Sequence, residues 1–566
     1  MMIPSIRPMT GKRSSSGDAT DESAASPNKI LRTDEATATG EMKTAAVASE
    51  VAEPRGATPA KIQLRDEIQL TDKETKLFEF LLDVEKQYDC KAVLRVAGGW
   101  VRDKLLGRDS DDVDIVIDSM TGKQFADLIN TYESDHGHKQ HPVGVIKANP
   151  DQSKHLETAT MQLGEIGWVD FVNLRAETYS DEHRIPDVEF GTPLQDAERR
   201  DFTVNSLFYN ISERKVEDFT QRGLDDLRIG LIRTPLDPRV TFLDDPLRVL
   251  RAVRFASRFN FDLHDDLRAA ASSDEVKDAF IKKISRERVG KELLGMLTGT
   301  SAHPERALKM LHDLGLCKSV FLLPLPQPIY KPDGTVVDDQ SHFDEALWEQ
   351  GYAYASAMYD LMVERSGKEV LDVGSMNDDE QNALKLRILS AFLMPFAEHY
   401  LLIKKRQQWL PVYIIRESLK LRNRDAEDVG TVILSHMKAL REHLQPDSVF
   451  SRVRVGLLLR EIGALWELCR DVSLVKDLVA APSDPARQDI RATYAAFSAQ
   501  VDASGLVGVW ELKPILNGNE LIKDVGVKPG PALKQTLDRI MEWQLANPTA
   551  TRDECLAFAR STLPST

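Results

Sequence analysis

An α/β unit followed by a long all-α region is the fold class this sequence predicts, and three observations carry it. Residues 91 to about 215 mix short apolar strand signals with short helical ones. From about residue 240 to the end, the helical period dominates. At 566 residues and 42% hydrophobic content the chain holds more than one core, so several domains are expected.

Taken in order, residues 1–65 read as a disordered tail, rich in Ser, Thr, Ala and Gly and poor in large apolar groups. Within it, Met1 to Ser16 carries Arg7, Lys12 and Arg13 and no acid before Asp18. That composition suits a mitochondrial targeting segment, although its short length and two prolines suit a plain unstructured tail equally. The pair Lys12-Arg13 is too small for a nuclear signal. A helix start is expected at Thr71-Asp72-Lys73-Glu74, with Leu77, Phe78, Leu81 and Leu82 as its apolar stripe. Strands are expected at Ala92–Ala97, Val113–Ile117, Met161–Leu163, Trp168–Leu174 and Ser206–Ile211. Pro-rich breaks at 323–332 and 481–485 divide the helical remainder. The resulting division is a head at 66–215, a neck at 216–300, a body at 301–480 and a tail at 481–566.

The most informative stretch is 93–117. A short strand runs into Gly98-Gly99, then a helix near Trp100–Leu106 that includes Arg102, then a strand carrying Asp112-Val113-Asp114. Two glycines at a helix start let backbone N–H groups approach a phosphate. Side chains alternate along a strand, so Asp112 and Asp114 share a face, and adjacent carboxylates are costly without a cation between them. The pattern therefore points to a nucleoside triphosphate with Mg²⁺. Asp109 and Asp111 offer a rival register, but Ile115-Val116-Ile117 carries Asp112/Asp114 into a core and leaves the other two in a turn. Asp170, on the apolar strand Trp168–Val172, is either a third ligand or a solvent-facing acid.

Three further motifs follow. Glu198-Arg199-Arg200-Asp201-Phe202-Thr203-Val204-Asn205 sets two arginine forks beside Asp201 and Asn205, suited to phosphate oxygens and to ribose or a base edge; the alternative is a salt-bridged helix surface. After Asp244-Asp245-Pro246, Arg248, Arg251, Arg254 and Arg258 recur on one helical face, opposite Val249, Leu250, Val253 and Ala256. Such a face is commonly just solvated. Asp245 one turn before Arg248, however, pairs an acceptor with a donor that together could read the edge of a base. Ser285-Arg286-Glu287-Arg288-Val289 reads as a capped structural helix. The polar segment 175–193, with Arg175, Glu177 and Arg184, is too long for an ordinary connection and reads as a lid or as disorder.

Composition narrows the classes. The formal net charge of −16 argues against indiscriminate nucleic-acid binding, though not against a local basic groove. Cys90, Cys317, Cys469 and Cys555 have no metal-ligand spacing and suggest a reducing compartment. No apolar run is long enough to span a bilayer.

Together and in this order, the motifs resemble those of the class II tRNA nucleotidyltransferases of the polymerase β superfamily. Gly98-Gly99-Trp100-Val101-Arg102-Asp103 with Asp112-Val113-Asp114 is similar to the family's metal and triphosphate motif, and Arg199 to Asn205 to its sugar motif. Phe219 to Leu236 is similar to its hinge, Asp244-Asp245-Pro246-Leu247-Arg248 to its base-selecting motif, and Ser285 to Val289 to its neck motif. Asp244 stands where many members have Glu. The resemblance covers about residues 75–295. It implies a nucleotidyltransferase head followed by an all-α neck, body and tail in a seahorse-like arrangement. It also implies addition of CCA to tRNA 3′ ends from CTP and ATP without a template. Asp112 and Asp114 would hold Mg²⁺. Gly98, Gly99, Arg102, Arg199, Arg200, Asp201, Asn205, Asp245, Arg248, Arg251 and Arg254 would bind nucleotide, and segment 175–193 would be the flexible loop. tRNA is the implied partner, with no membrane and no obligate protein partner, and the implied locations are cytoplasm and mitochondrion, with the nucleus a further one. A poly(A) polymerase on the same head, a CC-only enzyme and an inactive tRNA-binding module are the alternatives; the lack of a basic C-terminal run and the presence of segment 175–193 speak against the first two.

Overall fold

The computed structural model describes residues 62–562 except 111, 147–157, 165–166, 181–182, 325, 338–342 and 446. The expected targeting segment and most of the expected tail, together with Asp111, lie outside the described residues. The chain is already anchored before residue 66: Ile62 N donates to Arg228 O at 2.7 Å, and Arg65 N to Leu105 O at 2.9 Å.

Helix α1 (Asp72–Gln87) starts in a capping box, with the Thr71 hydroxyl accepting from Glu74 N and the Glu74 carboxylate accepting from Thr71 N. Its buried stripe is Leu77, Phe78, Leu81 and Val84, while Leu82 is only half-buried. Next come β1 (Leu94–Ala97), α2 (Gly99–Leu105), β2 (Asp114–Ile117), α3 (Gly122–Asp135), β3 (Val143–Ile146), β4 (Thr158–Leu163) and β5 (Gly167–Asn173). After a hairpin of β6 (Arg175–Ser180) and β7 (His183–Phe190) follow α4 (Pro193–Glu198), β8 (Phe208–Asn210) and β9 (Lys215–Glu217). Seven strands form one sheet in the order β3-β4-β5-β2-β1-β8-β9, with β2 and β5 parallel and all other pairs antiparallel.

Alternation along these strands decides where the chemistry sits. Leu94, Val96, Ile115, Ile117, Val169 and Phe171 join the large core shared with α1 and α3. The other face carries Ala97, Val116, Leu174, Ala197 and Phe208 as a small separate cluster. Asp114 and Asp170, register partners across β2 and β5, alternate onto that second face.

The segment 175–193 departs from the disordered reading: β6 and β7 form a hairpin within it, with Arg175 opposite Phe190 and Glu177 opposite Val188, and a register shift between Thr178 and Ser180. Arg184 lies on β7. Val188 and Phe190 alternate along β7, a strand signal that the neighbouring charges hide.

After β9, α5 (Gly223–Ile229) leads to β10 (Leu231–Ile232), which pairs in parallel with β11 (Asp262–Leu263) across α6 (Pro238–Asp244) and α7 (Leu247–Phe259). Asp226 on α5 accepts from the Thr203 hydroxyl at 2.7 Å and pairs with Arg233, tying α5 to the Arg199–Asn205 motif. Helices α8 (Asp265–Ser272), α9 (Asp274–Lys283) and α10 (Arg286–Thr298) follow. Ser285 occupies the N-cap of α10 with extended backbone but makes no side-chain cap bond. Arg286 instead donates to the carbonyls of Ser319, Val320 and Ser418.

The next elements are α11 (Pro304–Asp313), α12 (Cys317–Val320), β12 (Ile329–Tyr330), α13 (Glu345–Ser366), α14 (Asp378–Leu393), β13 (Tyr400–Ile403) and β14 (Arg406–Trp409). The three strands make a small antiparallel sheet inside a region that reads as wholly helical. Buried Asp471 collects Arg365, Arg387 and Arg470 at 2.8–3.0 Å, fastening α13 and α14 to the helix Trp466–Ala480. The last helices, Pro531–Ala546 and Arg552–Ser561, share a separate core of Leu516, Leu521, Val527, Ile540 and Cys555. Among the described residues no helix is long and apolar enough to cross a membrane.

Gly290 marks the closest approach of α10 to the turn at Leu419, where an added Cβ would fall 1.9 Å from the Leu419 carbonyl oxygen. Backbone cannot yield as a side chain can, so Gly290→Ala should destabilise the protein by about 1–3 kcal/mol or more through overpacking. A lowered midpoint in thermal or urea unfolding checks this.

Candidate active site

A cavity of about 530 Å³ opens on the second face of the sheet, between the head and α7. Its lining combines Gly98, Gly99, Asp112 and Asp114 with Arg199, Arg200, Asp201 and Asn205 and with Asp245, Arg248, Arg251 and Arg254. Arg102 lines it too. Residues far apart in sequence thus meet around one space, as the motifs require. Arg175 lies close enough to Asp114 to act on it electrostatically. The side chains of Glu177 and Arg184 lie outside the described residues.

Gly98 has φ +74°, a region L side chains rarely adopt, and a Cβ there would sit 2.9 Å from Arg200 Nη1. Glycine is therefore required by both backbone and space. Behind it, buried Lys104 bridges Glu74 (2.9 Å) and Asp109 (3.0 Å), and Trp100 Nε1 donates to Glu74 at 2.8 Å. This network fixes α2 against α1 and engages Asp109 away from Asp112 and Asp114.

Asp114 is the acid under most stress. Burial pushes its carboxyl up to about 6; Asp112 and then Asp170 push the same way, and Arg200 and Arg175 only partly oppose them. A carboxylate held among like charges beside an arginine-lined cavity fits a divalent cation shared with a polyanion. One oxygen of Asp170 is occupied, accepting from the Thr160 hydroxyl at 2.6 Å. Among the described residues no group of three or more His, Cys, Asp or Glu side chains is arranged to hold a metal ion unaided; oxygens of a bound phosphate would complete the coordination.

The arginines are held in place from behind. Arg199 and Arg200 both reach Asp196, at 2.6 Å and 2.8 Å. Asp201 accepts from Phe202 N, from Asn205 Nδ2 at 3.0 Å and from Arg251 at 2.6 Å. Burial would raise the Asp201 carboxyl, but Arg251 and Asn205 hold it below the usual range. Arg102 donates to Asp103 and to Asn205 Oδ1 and lies over the rings of Phe255 and Phe259. Arg248 donates to Arg199 O at 2.7 Å, and Arg254 to Glu292 at 2.7 Å. Arg258, at the rim, keeps a buried Nε with no hydrogen-bond partner, a donor suited to an anion.

The sequence motifs do not mark three residues that position the site, although Arg288 lies in the motif Ser285–Val289 that reads as a capped structural helix. Asp196 anchors both motif arginines, Glu292 anchors Arg254, and Arg288 donates to both oxygens of Asp245 at 3.2–3.4 Å. Asp196 sits three and four residues before Arg199 and Arg200, a spacing that reveals such a pair on a helix; Glu292 and Arg288 come from a separate helix, and nothing local ties them to Arg254 and Asp245.

Burial would push the Asp196 carboxyl up, yet Arg200 and Arg199 hold it at about 2. A depressed folded-state pKa contributes stability that is complete above the ordinary carboxylate range, near pH 4, and lost as pH falls toward 2. Asp196→Asn should therefore cost stability at neutral pH, and the gap between it and the parent should close between pH 4 and 2. Urea midpoints measured across that range check the sign.

A mixed sheet whose open face sets carboxylates beneath an arginine-lined cavity, with helices to follow, defines a nucleotidyltransferase. The family profile described as the poly A polymerase head domain matches residues 94–233, and that of a probable RNA and SrmB-binding site of polymerase A matches 260–327. The chain is 37% identical over 529 residues to the mitochondrial CCA tRNA nucleotidyltransferase of Candida glabrata, covering 88% of this chain and 97% of that one. It is 36% identical over 521 residues to the enzyme of the same name from Saccharomyces cerevisiae, covering 88% and 94%. A solved CCA-adding enzyme in an apo form shares the fold, with TM-score 0.56 at 20% identity over 87% of this chain and 97% of that one. The chain belongs to the CCA tRNA nucleotidyltransferase family.

Proposed function

We propose that this protein completes tRNA 3′ ends by adding C, C and A from CTP and ATP with release of pyrophosphate, without a nucleic-acid template. The observation that carries the reading is the convergence of both arginine motifs and the Asp112/Asp114 pair on one cavity. Likeness to relatives named for this activity, matched over nearly their whole lengths, supports it over a poly(A) polymerase or an inactive binding module.

Asp112 and Asp114, with Asp170 beside them, would hold divalent ions, Mg²⁺ in our reading, which when bound supply the Lewis-acid chemistry that activates the 3′-hydroxyl and neutralises the leaving pyrophosphate. Gly98 and Gly99 leave room for phosphate oxygens; at Gly98 any side chain would meet Arg200. Arg199 and Arg200, clamped on Asp196, present guanidinium edges to those oxygens in a fixed orientation. Asp201 holds Asn205 and Arg251 against the sugar and base side.

Base choice is a matter of donor order. Cytosine and adenine both offer an amino donor beside a ring-nitrogen acceptor; uracil and guanine offer the reverse. A carboxylate that accepts (Asp245) and a guanidinium that donates (Arg248) therefore suit C and A and reject the other two. Two relatives named mitochondrial support a mitochondrial location, and the cytoplasm is the further part of the proposal.

The test is incubation with a tRNA lacking its 3′ end, Mg²⁺, and CTP, ATP or both, with products sized at single-nucleotide resolution. Two residues added with CTP and a stop at three with both is the expected result. Long ladders with ATP alone would mean a poly(A) polymerase, a stop at two throughout a CC-adder, and no extension a binding module.

A further inference from the structure

The β13–β14 hairpin of the helical region carries a feature the catalytic site does not use. Its two-residue turn is Lys404-Lys405, with φ +49° and +64°, and Ile403 pairs with Arg406 across it. Two left-handed residues in succession mark the turn that hairpins normally build from Asn-Gly or Asp-Gly, because a Cβ is disfavoured there. Two lysines stand in those positions instead, both exposed and followed by exposed Arg406. Three consecutive cations at a turn that disfavours them repel one another and weaken the hairpin, so the fold does not explain them.

Beside the turn lies a cavity of about 640 Å³, lined by Lys404, Arg406, Gln408, Trp409 and Arg416 among others, and by no carboxylate among the described residues. Arg416 Nε and Gln408 Nε2 are buried donors without hydrogen-bond partners. Of the nearby acids, Glu417 is engaged by Lys420 at 2.8 Å, and Glu398 lies at the far end of β13. Orphaned donors and uncompensated cations around one cavity call for an anionic acceptor.

We propose that this hairpin and cavity bind the sugar–phosphate backbone of the tRNA substrate, Lys404, Lys405 and Arg406 contacting successive phosphates and Arg416 with Gln408 receiving one phosphate in the cavity. The proposal rests on the tRNA reading above. It also accounts for how a chain of net charge −16 holds a polyanion: through a local patch and not its overall field.

The test pairs Lys404→Asn/Lys405→Gly, which restores the residues that turn favours while removing both charges, with a separate Arg406→Gln. Binding of full-length tRNA lacking CCA is measured over a salt series, with CTP binding to the RNA-free protein as control. Loss of two phosphate contacts should weaken tRNA binding about tenfold or more and flatten the log–log salt slope by about 1.5, while Arg406→Gln alone flattens it by about 0.7. CTP affinity should stay within about twofold, since the hairpin lies outside the nucleotide cavity. Unchanged tRNA affinity and slope in both variants, with a parent protein that adds CCA, overturns the proposal and leaves the function intact. A parent that extends no tRNA overturns the functional reading itself.

Discussion

Asp114→Asn is expected to abolish nucleotide incorporation while leaving tRNA binding within a few-fold of the parent. The loss should reach at least about 10³-fold, the upper end of what one preorganised electrostatic contact contributes to a rate. The substitution keeps shape and removes one negative charge from a place where burial, Asp112 and Asp170 already push the carboxyl up to about 6. A folded-state pKa above the unfolded value means the ionised group opposes folding at neutral pH. Without divalent ions, the asparagine variant should therefore melt at a higher temperature than the parent. Adding Mg²⁺ should raise the parent's melting temperature and leave the variant's nearly unmoved, because an ion that binds only the folded state stabilises it by mass action. A dead variant that also melts lower and loses tRNA would mean Asp114 serves structure and not the reaction.

The head was legible because its signals are local. Thr71 and Glu74 announce a capping box three residues apart, Gly98-Gly99 sits between a strand and a helix, and Asp112 and Asp114 straddle Val113. The four arginines of α7 declare a face through their spacing alone, opposite buried Val249, Leu250, Val253 and Ala256. What the sequence hid depends on partners distant along the chain. Nothing near Asp245 tells that Arg288 will hold it, nor does anything near Arg254 point to Glu292. The β6–β7 hairpin leaves little trace in the sequence because charged residues interrupt its few apolar ones. The β13–β14 hairpin is hidden because lysines occupy a turn whose usual signature is glycine or asparagine, and β12 joins it from far along the chain.

The second large effect concerns base choice. Arg248→Ala removes the donor half of the proposed acceptor–donor pair, while Asp112, Asp114 and the arginines on Asp196 stay in place. Preference for CTP over UTP, read as a ratio of kcat/KM values, should fall by about 10- to 100-fold, the worth of one good base-edge contact, with a smaller loss in the maximal rate. Arg288→Ala should move the same ratio by a smaller factor. Its guanidinium touches both Asp245 oxygens from α10, so its removal frees the acceptor to rotate without deleting it. Arg288→Lys, which keeps the charge and loses the fork, should recover part of the preference. Arg288 acts at one remove from the base, and the split between its effect on selection and its effect on rate is what distinguishes positioning from packing. If Arg288→Ala lowers rate and thermal stability together and leaves the CTP/UTP ratio untouched, its contact with Asp245 only fastens α10 to the end of α6, and selection rests on Asp245 and Arg248 alone.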